Sequence, residues 1–322
     1  MAAYQARGRS GYPAKAVANA PGYRDAANPL YYHKTKPPHA VRGLLLYPRS
    51  TTHCPPSSTS KMTKRQISGS RAIVTGASSG IGRAVALELA RGAADVVLVA
   101  RREDRLKELA GEIGEMGMHV ETVAGDVTEP EVRRKAVDTA QSSFGGLDIL
   151  VNNAGIGATG LFEHADPDRL RRIFEVNFFA LVEMARVALP LLKQGTNPII
   201  VNVSSILGRR GVPHNAEYSA SKFAVQGFSE SIRAELTRDG IDVLVVNPGT
   251  TATEFFDSVI EKKSEPAWPE HAPVLPEYVA KATVRAIRRG RHEIIPYRWG
   301  RFLCWLNRFS PSLVDRLMAR YV

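Results

Sequence analysis

The chain has 322 residues, 44% of them apolar and 23% charged, an ordinary globular composition that excludes wholesale disorder, collagen and coiled coil. No run nears the roughly 18 to 20 apolar residues of a membrane span, and two cysteines, Cys54 and Cys304, cannot build a disulfide framework or a Cys-rich zinc site; the expectation is a cytoplasmic protein, soluble or peripheral to a membrane. The net charge of +11 sits at the ends: residues 1–70 carry eleven Lys and Arg against one acid, residues 281–322 ten against two, and the acidic centre 22 against 29, which argues against a nucleic-acid partner, since that needs a basic folded surface.

The first 61 residues hold eight prolines and no sustained helical or strand period. Such a segment buries too little apolar surface to offset its ordering entropy, so residues 1–67 are expected to be a disordered basic extension. Its Arg-rich, acid-poor composition suits a targeting segment, but the prolines break the amphipathic helix such segments form. The other reading is an upstream extension misassigned to a chain that starts at Met62.

Strands are predicted over 72–75, 95–100, 119–124, 149–152, 199–203, 243–247 and 293–296, several as unbroken Val/Ile/Leu runs that suit a sheet buried on both faces. Between them lie amphipathic stretches such as 81–91 and 103–116, with apolar spacing near 3.6 residues. Repeated βα units require right-handed crossovers and a doubly wound parallel sheet. The expected fold is therefore α/β: a single Rossmann-type domain over 68–296 with about seven parallel strands and helices on both faces.

The first chemical signal is Thr75-Gly76-Ala77-Ser78-Ser79-Gly80-Ile81-Gly82, after a strand and opening a helix. Glycines there let the backbone approach a pyrophosphate, which rests on free N–H groups at the helix end. The second strand ends in Ala100-Arg101-Arg102. A dinucleotide site that prefers NAD(H) places an acid near this point, whereas an arginine accommodates the 2′-phosphate of NADP(H). The arginines could also simply begin a solvated helix; NADP(H) over NAD(H) is the reading adopted. Asp126 ends the third strand, and Asn153-Ala154-Gly155 follows the fourth. Tyr218 and Lys222 stand at i and i+4, a spacing that puts both on one helix face. A lysine charge beside a phenol lowers its pKa. Thirteen residues before Tyr218 stands Ser205.

Taken in order, TGASSGIG at 75–82, Asp126, NNAG at 152–155, Asn177, Ser205, Tyr218 with Lys222, and Asn247-Pro248-Gly249 resemble the short-chain dehydrogenase/reductase family, in its form of about 250 residues, over residues 68–296. The resemblance implies that Tyr218 is the acid/base and that Ser205 binds the same substrate oxygen. Lys222 would hold the nicotinamide ribose and depress the tyrosine pKa, and Asn177, on the helix after the fourth strand, would position a relay water. Ser204 is the alternative serine. For the cofactor it implies Gly76, Ser78, Ser79, Gly80, Ile81 and Gly82 at the pyrophosphate and Arg101 and Arg102 at the 2′-phosphate. Asp126 and Val127 would lie at the adenine, Asn153, Ala154 and Gly155 along the cleft floor, and Pro248, Gly249, Thr251 and Thr253 at the nicotinamide. No metal is expected. Every catalytic position carries the expected residue type, which argues against a non-catalytic dinucleotide sensor.

The implied activity is an NADP(H)-dependent carbonyl reductase or alcohol dehydrogenase. A 3-oxoacyl-type reductase and a membrane-associated lipid or steroid-like dehydrogenase are the alternatives. Substrate choice falls to residues 250–276, where Phe255, Phe256, Val259, Ile260, Trp268 and Pro273 form either an apolar lid or plain packing. A tail over 297–322 places Phe302, Trp305, Leu306, Phe309, Leu313, Val314 and Leu317 near helical spacing among five arginines, with a break at Pro311. Such a tail suits an anionic membrane surface, a cover over the cleft, or a subunit interface. The resemblance further implies a homodimer or homotetramer through the helices bearing Asn177 and Tyr218, with Phe178, Leu181, Phe223 and Phe228 on their outer faces.

Overall fold

A computed structural model describes residues 65–255, 259 and 272–321. Most of the predicted basic extension, Met62 included, lies outside the described residues, as do Phe256, Ile260 and Trp268. The boundary at 68 moves back. Ile67 is buried in the core, and the Arg65 guanidinium donates to the Ile287 carbonyl at 2.9 Å and pairs with Asp242 at 2.8 Å. A buried guanidinium with this many acceptors is part of the folded body.

Seven parallel strands form one sheet in the order β3-β2-β1-β4-β5-β6-β7. They are β1 (Arg71–Thr75), β2 (Asp95–Ala100), β3 (Val120–Ala124), β4 (Ile149–Asn152), β5 (Ile199–Val203), β6 (Asp242–Val246) and β7 (Glu293–Ile294). The predicted ends hold to within a residue except at β7, which stops before Pro296, a residue with no N–H to give the ladder. Both sheet faces are covered, which is why the central strands read as unbroken apolar runs. On one face lie α1 (Gly80–Arg91), α2 (Glu103–Glu115) and α7 (Pro276–Arg288), burying Leu89, Leu109 and Ile287. On the other lie α3 (Pro130–Phe144), α5 (Ala180–Leu192) and α6 (Ala216–Leu236), burying Ala140, Met184 and Leu236. The strand order reverses between β1 and β4, and a crevice at that switch point, outside the carboxyl ends of the strands, is where such sheets bind ligands.

Helix α6 is the element that carries Tyr218 and Lys222, and its first turn is pinned from below. Helix α4 (Pro167–Phe174) contributes Arg169, which is 2% exposed and places its Nη2 at 2.7 Å from Glu217 Oε1. Glu217 is the residue before Tyr218, so this buried pair sets the height at which the phenol enters the crevice. The tail also folds. Helices α8 (Arg298–Phe309) and α9 (Pro311–Met318) meet at Pro311 as expected, and Leu303, Leu306, Val314 and Met318 pack against Leu207 and Val212. Leu306 and Val314 thus face inward, whereas Trp305, Phe309, Leu313 and Leu317 stay exposed.

Removing one partner of a buried ion pair leaves an uncompensated charge. Arg169→Ala is expected to lower the unfolding free energy by about 3 to 5 kcal/mol, read by urea denaturation. A loss under about 1 kcal/mol would show that solvent reaches Glu217 and that the pair does not brace α6.

Candidate active site

The glycine loop between β1 and α1 is shaped by contacts that leave no room for side chains. Gly76 has φ +65°, and a Cβ there would lie 2.8 Å from the Ala154 Cα; a Cβ on Gly82 would lie 2.3 Å from the Gly76 carbonyl oxygen. Asn153 closes the loop from β4. Its Nδ2 donates to the Thr75 and Gly76 carbonyls at 3.0 and 3.2 Å, and its N–H donates to Thr75 Oγ1 at 3.0 Å. Ser79 caps α1 in extended backbone without a side-chain bond, and the first turn holds no acid. The positive helix end therefore stays open toward the crevice.

One cleft of about 1490 Å³ gathers the predicted residues. Its lining includes Gly76, Ser78, Ser79, Ile81, Arg101, Arg102, Asp126, Val127, Asn153, Ala154 and Gly155 at one end. Toward the other end it includes Ser205, Tyr218, Lys222, Pro248, Gly249, Thr251 and Thr253. Three of the expected residues stand behind the wall. Gly80 backs onto Thr253, Gly82 backs onto Gly76, and Asn177 is fully buried.

At the end of β2 the two arginines differ. Arg101 is largely exposed, 3.9 Å from Asp126. Arg102 turns into the cleft, its Nε and Nη2 donating to Ser78 Oγ at 3.2 and 3.1 Å and its Nη1 to Glu254 Oε2 at 2.7 Å. Arg105 adds a second charge at 3.6 Å, and the Arg102 bond holds the Glu254 carboxyl below the usual carboxylate range. Glu254 was not found from the sequence. Nothing in its local pattern distinguishes it from a solvated loop acid, and only the fold brings it to Arg102.

At the centre, Tyr218 and Ser205 both line the cleft, and desolvation pushes the phenol up to about 12, with the neighbouring Ser205 hydroxyl opposing. Lys222 is 4% exposed, and burial pushes its ammonium down to about 8. Its Nζ donates to the Val203 carbonyl at 3.0 Å and stands 5.7 Å from the Tyr218 ring centroid. In the protein alone, desolvation dominates at both groups and pushes each toward its neutral form. Ser205, not Ser204, is the serine whose hydroxyl is left to face Tyr218. Ser204 Oγ is spent on the Lys222 carbonyl at 3.0 Å.

Asn177 lies not in a regular α-helix but in a π-helical turn, Glu175–Phe179, between α4 and α5. Such turns recur at functional sites. Its Oδ1 accepts from the Ile156 N–H at 2.8 Å, and its Nδ2 donates to the Ile156 carbonyl and Ser221 Oγ, each at 3.0 Å. The side chain is a clamp between the strand-four loop and α6. A Cβ on Gly155 would lie 3.2 Å from Asn177 Oδ1 and 3.6 Å from Lys222 Nζ, so both groups border the space beside that glycine.

The remaining wall is apolar. Phe255 packs its ring 5.6 Å from Tyr218 and against Gly157, and Val259 and Pro273 also line the cleft. The tail supplies Trp299, Phe302, Leu303 and Met318, so among the uses open to it from sequence, covering the cleft is one it has. On the outer face of α5 and α6, Phe223 is exposed, whereas Leu181 is buried within this chain and the exposed neighbour is Phe179. No helix among the described residues is long and apolar enough to cross a membrane, and no cluster of metal-binding side chains occurs among them.

The fold and cleft define a dinucleotide-binding α/β protein with a tyrosine–lysine–serine centre. A short chain dehydrogenase family model matches residues 70–264. The chain is 35% identical over 260 residues to 11-beta-hydroxysteroid dehydrogenase A of Sesamum indicum, covering 77% of this chain and 74% of that one. A short chain dehydrogenase/reductase from Burkholderia phymatum in complex with NAD shares the fold with a TM-score of 0.70 and 25% identity, over 77% of this chain and 96% of that one. A short chain dehydrogenase from Burkholderia cenocepacia J2315 in complex with NADP does so with a TM-score of 0.64 and 29% identity, over 72% and 97%. The chain belongs to the short-chain dehydrogenase/reductase family of oxidoreductases.

The two shifted groups set a pH dependence. Lys222 loses its proton as pH rises through about 8, while Tyr218 keeps its own to about 12. Turnover that needs both protons is expected to be level below about pH 7 and to fall through about pH 8, read as initial rates of carbonyl reduction. A rate that climbs across that interval would show that Lys222 acts in its neutral form.

Proposed function

We propose that the protein is an NADP(H)-dependent oxidoreductase interconverting a hydrophobic ketone or aldehyde and its alcohol. The observation that carries this reading is Tyr218 and Ser205 lining one cleft beside a buried Lys222, a cleft whose first half is backbone and arginine and whose second half is apolar. The cofactor, when bound, supplies the hydride. Gly76, Ser78, Ser79 and the end of α1 fit a pyrophosphate, because an added Cβ on Gly76 or Gly82 has no space and the first turn of α1 carries neither an acid nor a side-chain cap. Arg102 is the residue for the 2′-phosphate, since its guanidinium is already turned into the cleft beside Ser78. Asp126 and Val127 take the adenine, Asn153, Ala154 and Gly155 the floor, and Pro248, Gly249, Thr251 and Thr253 the nicotinamide.

Tyr218 gives its proton to the substrate oxygen as the carbonyl carbon is reduced, and takes one back from the alcohol in the reverse direction. Ser205 hydrogen-bonds that same oxygen and stabilises its developing charge. Lys222 holds the ribose hydroxyls and places a positive charge where the phenol loses its proton. Asn177 acts on these groups by position, and the space beside Gly155, bordered by Asn177 and Lys222, is the route by which Tyr218 regains its proton. Phe179 and Phe223 give α5 and α6 an exposed apolar face, on which a second copy of the chain would make a homodimer.

The apolar half of the cleft favours a bulky lipophilic ketone over an acyl thioester, whose charged carrier end would meet Phe255 and the tail. The Sesamum relative named as a hydroxysteroid dehydrogenase agrees with that choice. The test is NADPH oxidation against steroid ketones, simple ketones, aldehydes and 3-oxoacyl thioesters. Lipophilic ketones are expected to turn over, and Tyr218→Phe to cut the rate by about 10²- to 10⁴-fold with the fold intact. A preference for thioesters would overturn the substrate reading; full activity in Tyr218→Phe would overturn the mechanism.

Cofactor choice is tested separately. Glu254 competes with a 2′-phosphate for Arg102, so Glu254→Gln is expected to tighten NADPH several-fold and leave NADH unchanged, while Arg102→Ala weakens NADPH by about tenfold or more. Equal effects of Arg102→Ala on both nucleotides would remove Arg102 from the 2′-phosphate.

A further inference from the structure

The C-terminal helices present an outer face that the catalytic reading does not use. On α8, Trp299, Phe302, Trp305 and Phe309 are between 53% and 68% exposed, at spacings that place them along one side of the helix. Leu313 and Leu317 extend the face along α9, and Leu275 and Tyr278, at the start of α7, adjoin it across a shallow apolar groove shared with Trp299 and Phe302. So many large apolar side chains together in solvent mark a contact surface. Tryptophans in particular favour a boundary with one apolar and one wet side.

Charge selects the partner. Arg298, Arg301, Arg308, Arg316 and Arg320 lie exposed on the same two helices, and the one acid between 297 and 322, Asp315, is taken by Arg210 at 2.5 Å. An aromatic stripe flanked by arginines that make no ion pair among the described residues matches a negatively charged bilayer surface, with rings in the headgroup boundary and guanidinium groups on phosphates. The depth required is that of a helix lying flat, consistent with the absence of a spanning helix among the described residues. The position of this face relative to the cleft gives it a purpose. Trp299 and Phe302 line both the outer groove and the cleft that holds Tyr218, so the apolar wall of the site continues without a break onto the exposed stripe.

We propose that α8 and α9 seat the protein on an anionic membrane and that its lipophilic substrate passes from the bilayer into the cleft between Trp299 and Phe302. The seating stands on the surface alone; the passage of substrate rests on the function proposed above. Membrane seating concentrates a poorly soluble ketone at the mouth of the site and spares it a crossing through water.

The test uses the full-length chain and a double variant, Trp305→Glu with Phe309→Glu. Neither residue lines the cleft, so the variant keeps the wild-type rate on a small water-soluble carbonyl. Co-sedimentation is measured with phosphatidylcholine vesicles, with and without phosphatidylserine. The expected result is binding to the anionic vesicles, weakened by high salt and reduced about tenfold or more in the double variant. With a ketone dissolved in the vesicles, the variant then loses rate while holding it on the soluble carbonyl. Full-length protein that stays in the supernatant overturns the seating. Binding that survives the double variant also overturns it, and would assign the contact to the basic residues before 65. A double variant that dissociates an oligomer while vesicles fail to bind the wild type would make the stripe a subunit interface instead. If vesicle binding behaves as expected but no ketone is turned over, the seating holds and the catalytic reading is what fails.

Discussion

A buried Lys222 and a Tyr218 that opens onto the cleft stand one turn apart at the start of α6, and most of the surrounding structure serves to hold them there. Burial alone pushes the Tyr218 phenol up to about 12 and the Lys222 ammonium down to about 8. Both shifts disfavour charge, so the protein by itself stores a proton donor and not a preformed phenolate. That state needs scaffolding. The Arg169–Glu217 pair fixes the start of the helix, Asn177 clamps Ser221 to the loop after β4, and the Lys222 ammonium and carbonyl are tied to Val203 and Ser204 after β5. These ties come from three separate places, α4, the π-helical turn and the end of β5, and they give buried polar side chains partners.

The two halves of the cleft are built on different principles. The dinucleotide half is mostly backbone: a helix end without acids, glycines that admit no Cβ, and an asparagine that stitches β1 to β4. Backbone of this kind recognises what all dinucleotides share, and Arg102, held between Ser78 and Glu254, is the side-chain charge that borders it. The substrate half is side chain, drawn from the loop after β6 and from the tail. Phe255 touches Tyr218 directly, and Met318 and Leu303 close the far wall.

What could be read from the sequence follows the same division. The strands were legible because a sheet covered on both faces demands unbroken Val, Ile and Leu, and the glycine loop because its spacing answers a steric demand at fixed points. Tyr218 and Lys222 were legible because i and i+4 share a helix face. Contacts between distant segments were not. Arg169 and Glu217 are separated by 48 residues, and Arg102 and Glu254 by 152; no local pattern marks either pair. Leu181 looked outward by its neighbours and proved to be core. The Tyr218 shift is hidden in the sequence for a related reason: spacing reveals that a lysine is near, but not how far either group is desolvated.

The account rests on a desolvated phenol at the cleft that becomes acidic only when charge is brought to it. The most direct measurement is the ultraviolet tyrosinate absorbance of wild type minus Tyr218→Phe, titrated with and without saturating NADP⁺. The expected result is no tyrosinate from Tyr218 below about pH 10 in the protein alone, and a titration lower by about two units or more once the oxidised cofactor, with its positive nicotinamide ring, is bound. A Tyr218 titration that is the same in both conditions would contradict the account, because the proton donor would then be set by the protein and not by what enters the cleft.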